Sequence, residues 1–178
     1  GGARSGFSNG TTALQGALVA RQKVWVKIEA WIEVVTLSVV GSAGLPIKTE
    51  GYATARGDGT PTSVHPVNNR AAAAGNGIDI SGGHNIIRFI DVTAAGADGF
   101  NKTATTGMLL GCRSYSNGGD GFESNSSTVL VACEAYSNTG RGVHNSNATF
   151  DILGVYSHDN TGMGLDQTNG GFQVVAWG

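Results

Sequence analysis

Asp79, Asn101, Glu123, His144 and Asp166 are the residues of this chain whose types and spacing could do chemistry. Each directly follows a glycine–apolar pair: Gly77–Ile78, Gly99–Phe100, Gly121–Phe122, Gly142–Val143 and Gly164–Leu165, at spacings of 22, 22, 21 and 22. Carboxylates, amides and imidazoles can hydrogen-bond sugar hydroxyls, move protons or hold a cation. Side chains alternate along a strand, so if the apolar anchor points inward, this row points out. The row then forms a polar stripe along one face. It is either a groove for a glycan or another polar polymer, or a solvated outer face, and the solvated face is the more economical reading.

Cleavage makes stricter demands. Hydrolysis of a glycosidic bond needs carboxylates converging on one bond, and the acids in this row alternate with Asn101 and His144. Nearest acids of the row therefore lie two rungs apart, about 9 to 10 Å, at or beyond the long end for a hydrolase pair. Asp98 and Asp120 each precede a repeat glycine and could hold calcium between rungs, but Arg141 and Met163 follow in the next repeats and interrupt the ladder. The stretch "GGDGFE" occurs once, at a turn, whereas Gly-rich calcium repeats recur about every nine residues. The histidines at 65, 84, 144 and 158 have no metal-ligand spacing. Arg88 and Asp91 read as an ordinary outward pair on one strand. No catalytic residue, metal or other cofactor is assigned, and calcium has no support.

The elements that must position this row repeat with it. Nine residues before the later glycines stand Ile90, Cys112, Cys133 and Val155; six before stand Thr93, Tyr115, Tyr136 and His158; four before stand Ala95, Asn117, Asn138 and Asn160. The runs "IIRFIDV", "MLLGC", "TVLVAC" and "FDILGVY" are apolar and β-branched or aromatic, bounded by turn residues. No helix of about 10 to 12 residues fits beside them in such a unit. A coil of short parallel strands does fit, each turn adding a rung about 4.8 Å from the last. Inward columns then stack into a continuous apolar core. Stacked asparagines at a corner can bond each other and the turn backbone, and Asn tolerates left-handed conformations. Cys112 and Cys133 read as stacked small hydrophobes, with a disulfide as the lesser alternative.

With these rungs, "VWVK", "VVTLSVVGSAGLPI", "EGYATARGDGT", "NGIDISGGHNIIRFIDV" and "VLVACEAYSNTGRGV" make the chain resemble a right-handed parallel β-helix of the pectate-lyase-like kind, also found in phage tailspikes and other virion proteins. The resemblance runs from about Val24 to the end and implies an all-β, single-stranded solenoid with rungs of about 22 residues. Relatives usually follow the opening strand with a Gly-containing turn and an aromatic. Here "IEAW" lacks the glycine, which leaves the register of the first coil, around residues 24–35, open. Residues 1–23 read as an N-terminal cap segment with a short amphipathic helix over 12–20, and residues 24–178 as the β-helix, with a loop over 56–75. The chain stops at "FQVVAWG", part-way through a rung, which predicts either a fragment or an end covered by another subunit.

Composition narrows the function classes. Of the 178 residues 13% are charged and 40% hydrophobic, with 29 glycines, which is not a disordered profile. A net charge of −2 without a basic run excludes a phosphate-binding stripe, hence a nucleic-acid partner. No apolar stretch approaches the roughly 18 residues of a membrane span. A strong fold signal with little active-site content predicts a non-enzymatic surface or structural module. On the resemblance, that is a virion spike, decoration or cement protein, at the virion or outside the cell, assembled as a homo-oligomer or on a larger particle. The alternatives are a polysaccharide lyase or hydrolase and an extracellular glycan-binding module, each with a polysaccharide as partner.

Overall fold

A computed structural model describes residues 23–27, 30–31, 35–42, 44–52, 65–104, 106–146, 149–169 and 172–175. The expected helix over 12–20 lies outside the described residues. The described residues form a parallel β-solenoid of three sheets. Sheet A stacks Lys23–Lys27, Ile47–Tyr52, Asn85–Arg88, Gly107–Leu110, Thr128–Val131, Phe150–Leu153 and Phe172–Val175. Sheet B stacks Ala30–Trp31, Val67–Asn69, Asp91–Thr93, Arg113–Tyr115, Glu134–Tyr136 and Tyr156–His158. Sheet C stacks Val35–Leu37, Ile78–Ile80, Phe100–Lys102, Phe122–Ser124, Val143–Asn145 and Leu165–Gln167. The chain visits A, B and C in turn, so every strand pairs with its equivalents one rung before and after. Among the described residues no helix appears.

The opening coil joins this register directly: Val24 pairs with Thr49 and Ala30 with Val67. The stretch read as a loop over 56–75 contains the strand Val67–Asn69. Its sequence, Val-Asn-Asn, has little β character, and it is extended because the strands on either side give its backbone partners.

The core is a set of stacked columns. Ile90, Cys112 and Cys133 are fully buried with Val155 packed against them, and Phe100 stacks on Phe122 at 5.1 Å. Each large apolar side chain so buried stabilises the coil by about 1.5–3 kcal/mol. Both cysteines are free thiols, and burial beside Cys133 pushes Cys112 well above its usual range. The corners are sharp because single residues take the left-handed conformation. Phe89, Gly111, Ala132 and Gly154 do so between sheets A and B, and Ala94, Ser116, Ser137 and Asp159 between B and C. The left-handed residue is thus the one before each Asn, not the Asn itself. The amides instead bridge rungs: Asn117 Nδ2 donates to Asn138 Oδ1 (2.9 Å), and Asn138 Nδ2 to Asn160 Oδ1 (2.9 Å). Each Oδ1 also accepts the backbone N–H of the rung below, the ladder starting at Ala95 N. Gly99 is required by close approach, since a Cβ there would overlap Ser114 Oγ.

Arg88 and Asp91 are not the outward pair expected. Phe89 turns the corner between them, so Arg88 closes a strand of sheet A and pairs with Glu50 (3.2 Å). Asp91 opens a strand of sheet B and is fully buried, held by His65 Nδ1 (2.7 Å) and Arg113 Nε (2.9 Å).

Candidate functional site

The outer face of sheet C carries one polar side chain per rung. Thr36, Asp79, Asn101, Glu123, His144 and Asp166 are direct cross-strand partners in sequence of rungs. All are half-buried. Their strands hold them there because the flanking residues point inward: Phe122 and Ser124 around Glu123, Val143 and Asn145 around His144. The turn residues before the repeat glycines, Asn76, Asp98, Asp120 and Arg141, lie alongside. Asn76 Oδ1 accepts Asp98 N (3.0 Å), Asp98 Oδ1 accepts Asp120 N (2.8 Å), and Asp120 Oδ1 accepts Arg141 N (2.6 Å). Each side chain thereby fixes the turn of the following rung.

The two ends of the face differ. Toward the N-terminus, amides answer the acid: Asn76 Nδ2 and Asn101 Nδ2 both donate to Asp79 Oδ1, at 2.7 and 3.1 Å. Toward the C-terminus, charges converge. His144 Nδ1 lies 3.1 Å from Asp120 Oδ2, and is in close contact with Glu123 Oε2. Arg141 reaches His144 Nδ1 with one guanidinium nitrogen (2.7 Å) and Asp166 Oδ2 with Nε (2.8 Å). His144 Nε2 lies 3.1 Å from Thr168 Oγ1, and Ser146 Oγ donates to Glu123 Oε1 (3.0 Å). Burial raises the carboxyl of Glu123 above its ordinary range, against the opposing pull of His144. Burial likewise raises Asp98, opposed by its bond from the Asp120 backbone.

The row expected from the sequence thus sits on one face, and its charged contacts concentrate at Glu123, His144 and Asp166, joined by Asp120 and Arg141. In the sequence Asp120 and Arg141 read as parts of an interrupted ladder. Their signal was the spacing of three residues across the Gly–apolar corner, which brings a turn side chain beside an outward strand side chain on the same rung.

The other faces offer less to a polar ligand. Tyr115, Tyr136 and His158 stack on sheet B with centroids 4.8 and 5.2 Å apart, and Tyr156 lies against His158 at 4.3 Å. The faces stacked within this column cover one another, while Tyr156 remains 63% exposed. Sheet A turns out Ile86, Met108, Leu110, Val129, Val131 and Leu153, a mainly apolar face with Lys48, Arg88 and Asp151 in the same rows.

No protein-family model matches the chain, and no curated protein does. Two solved structures are similar. One is the crystal structure of a pectate lyase, Pel9A, with 15% identity and a TM-score of 0.58, covering 84% of this chain and 48% of that one. The other is a rhamnogalacturonan lyase, with 13% identity and a TM-score of 0.63, covering 93% of this chain and 58% of that one. The chain has the parallel β-helix fold. At these identities the likeness is one of fold, and this β-helix spans about half the length of each neighbour. No described helix is long and apolar enough to cross a membrane.

Proposed function

We propose that this β-helix recognises a polysaccharide laid along the outer face of sheet C. The observation that carries this reading is the unbroken register from Thr36 to Asp166, one hydrogen-bonding side chain per rung. Rungs advance by about 4.8 Å. A polymer with a similar repeat meets a new planar amide, carboxylate or imidazole at each step, and such groups pair well with adjacent hydroxyls. The polymers in the neighbours' names, pectate and rhamnogalacturonan, support a polysaccharide as the ligand class. Such a role belongs outside the cell or on a surface. The virion display role expected from the sequence rests on the fold alone, a fold that polysaccharide lyases share.

Cleavage by β-elimination is a second reading, favoured by the contact of Arg141 with His144. A guanidinium can clamp a uronate carboxylate in bidentate fashion, and a neutral imidazole beside it can accept the proton released at the neighbouring carbon. Calcium, which the resemblance associates with such chemistry, does not suit this donor set. It takes six to eight oxygens, and here two carboxylates share their space with a ring nitrogen and a guanidinium. No step is routed through it.

The test is binding to immobilised polygalacturonate and rhamnogalacturonan, with absorbance of new double bonds as the assay of cleavage. Replacing Glu123 and His144 together by Gln is expected to abolish retention while the thermal melt stays cooperative. Retention by the double variant, or none by the wild-type chain, contradicts the reading.

A further inference from the structure

The outer face of sheet A takes no part in the polar row of sheet C. Two columns of side chains run along it. One carries Lys48, Ile86, Met108, Val129 and Asp151, each the direct cross-strand partner of the next. The other carries Arg88, Leu110, Val131 and Leu153. Alternation turns both columns outward, since Ile87, Leu109, Leu130 and Ile152 between them are buried in the core. The apolar members are half-buried, except Leu153, which is 43% exposed. Charge lies toward the ends. Lys48 stands at the N-terminal end of the first column and Asp151 at its C-terminal end. Among the described residues neither side chain has an ion-pair or hydrogen-bond partner. Arg88 differs, because Glu50 answers its charge at 3.2 Å and its guanidinium lies over the Phe89 ring, 5.0 Å from the centroid.

We infer that sheet A is a self-association face, on which two copies of this chain pair with their solenoid axes antiparallel. A two-fold axis along the strand Gly107–Leu110 reverses the order of the rungs and keeps each column opposite itself. Met108 then meets the partner's Met108, Ile86 meets the partner's Val129, and Lys48 meets the partner's Asp151. The last contact occurs twice, once at each end. The parallel alternative, with its axis along the solenoid, opposes the two columns instead. It sets Asp151 against the partner's Leu153 and covers a carboxylate that has no cation beside it, which is costly. Charge therefore selects the antiparallel pair. The apolar middle supplies contact, with Met108 adaptable enough to fill the centre, and the end charges fix the register. The face measures about 13 Å along the strands and about 19 Å from the first rung to the fifth. That is well short of the roughly 800 Å² per partner of a standard interface, so the dimer is weak and reversible. Sheet C takes no part in it, and the inference stands apart from the glycan reading.

The test is sedimentation equilibrium of the full chain from about 10 μM to about 1 mM. The average mass is expected to rise with concentration and to approach, without passing, twice that of the monomer, because a two-fold contact closes on itself. Met108→Glu sets two carboxylates against each other at the axis and should weaken association at least about tenfold. Lys48→Glu and Asp151→Lys should each weaken it by a similar factor. The double variant carrying both exchanges the two charges, and its association should return to within about threefold of the wild-type chain. His158→Asn, on sheet B, should change nothing. Should Met108→Glu fold poorly, the charge exchange carries the test by itself. A monomer at every concentration overturns the inference and leaves the face to residues 1–22 or to another molecule. Mass that climbs past the dimer overturns it too, as does undiminished association of Met108→Glu or a double variant no stronger than the single ones.

Discussion

The corner between sheets B and C and the outer face of sheet C lie only a few residues apart on each rung, yet they use the repeat in opposite ways. At the corner the repeat preserves identity: Asn117, Asn138 and Asn160 stack, and every amide finds its copy on the next rung. On the face the repeat preserves position but not identity, so Glu123, His144 and Asp166 meet as unlike neighbours. A column of identical amides closes its own hydrogen bonds and has nothing left for a ligand. A column of unlike charged groups leaves lone pairs and cations facing one another, which is where binding chemistry can reside. The difference teaches that, in a solenoid, preserved residues mark structure and broken columns mark candidate sites.

Breaking the corner is expected to have the largest effect. Asn138 is buried and bonds Asn117, Asn160 and the Ser114 carbonyl. Asn138→Ala orphans several buried groups at once and should lower the unfolding free energy by about 4 kcal/mol in denaturant titration. An equal loss for Asn101→Ala, on the outer face, would erase the contrast between the two regions.

The interior offers a second way to sharpen it. Lys102 is 2% exposed, points into the coil beside Ser126 Oγ (3.3 Å) and the Ala104 carbonyl, and is held by burial at about 8. Between about pH 8 and 10.4 the unfolded chain holds a proton that the folded chain has released, so stability rises with pH across that window. The rise should approach about 3 kcal/mol. Below pH 8 both states are protonated and this stability is absent. Lys102→Met should remove the slope and stabilise the coil by about 2 kcal/mol at pH 7. A flat pH profile in the wild-type chain would place the ammonium in water instead.

The smallest effect is expected on sheet B. His158 is raised above its ordinary 6.5, first by its hydrogen bond to Asp159 (2.8 Å) and then by Glu134 (3.2 Å). Its contribution to stability is therefore full below 6.5 and is lost as pH rises through the folded value. Asp159→Asn should lower the midpoint of the His158 ring titration seen by NMR, with little change in the melt.

The rung period was legible because stacking constrains identity: the Gly–apolar pairs, Cys112 over Cys133 and the asparagines could be read off without coordinates. Features set by a neighbour rather than by a copy could not. Val67–Asn69 is a strand only because Ala30–Trp31 and Asp91–Thr93 flank it. Lys102 is a charged residue that nevertheless occupies the same column as Ile80 and Ser124, both buried. Gly107 was the available clue, since a Cβ there would lie 2.5 Å from Lys102 Cε. The candidate site was half legible. The outward row came from alternation, whereas its contacts with Asp120 and Arg141 depend on how the corner folds back beside the strand.

The most direct test of the account is to map where a glycan lands. Titrating galacturonate and rhamnogalacturonan oligosaccharides into isotope-labelled protein should shift amide signals around Asp98–Asn101, Asp120–Glu123, Arg141–His144 and Asp166, leaving those of Tyr115, Tyr136 and His158 in place. Shifts confined to the tyrosine stack of sheet B, or no shifts at any oligosaccharide concentration, would contradict it.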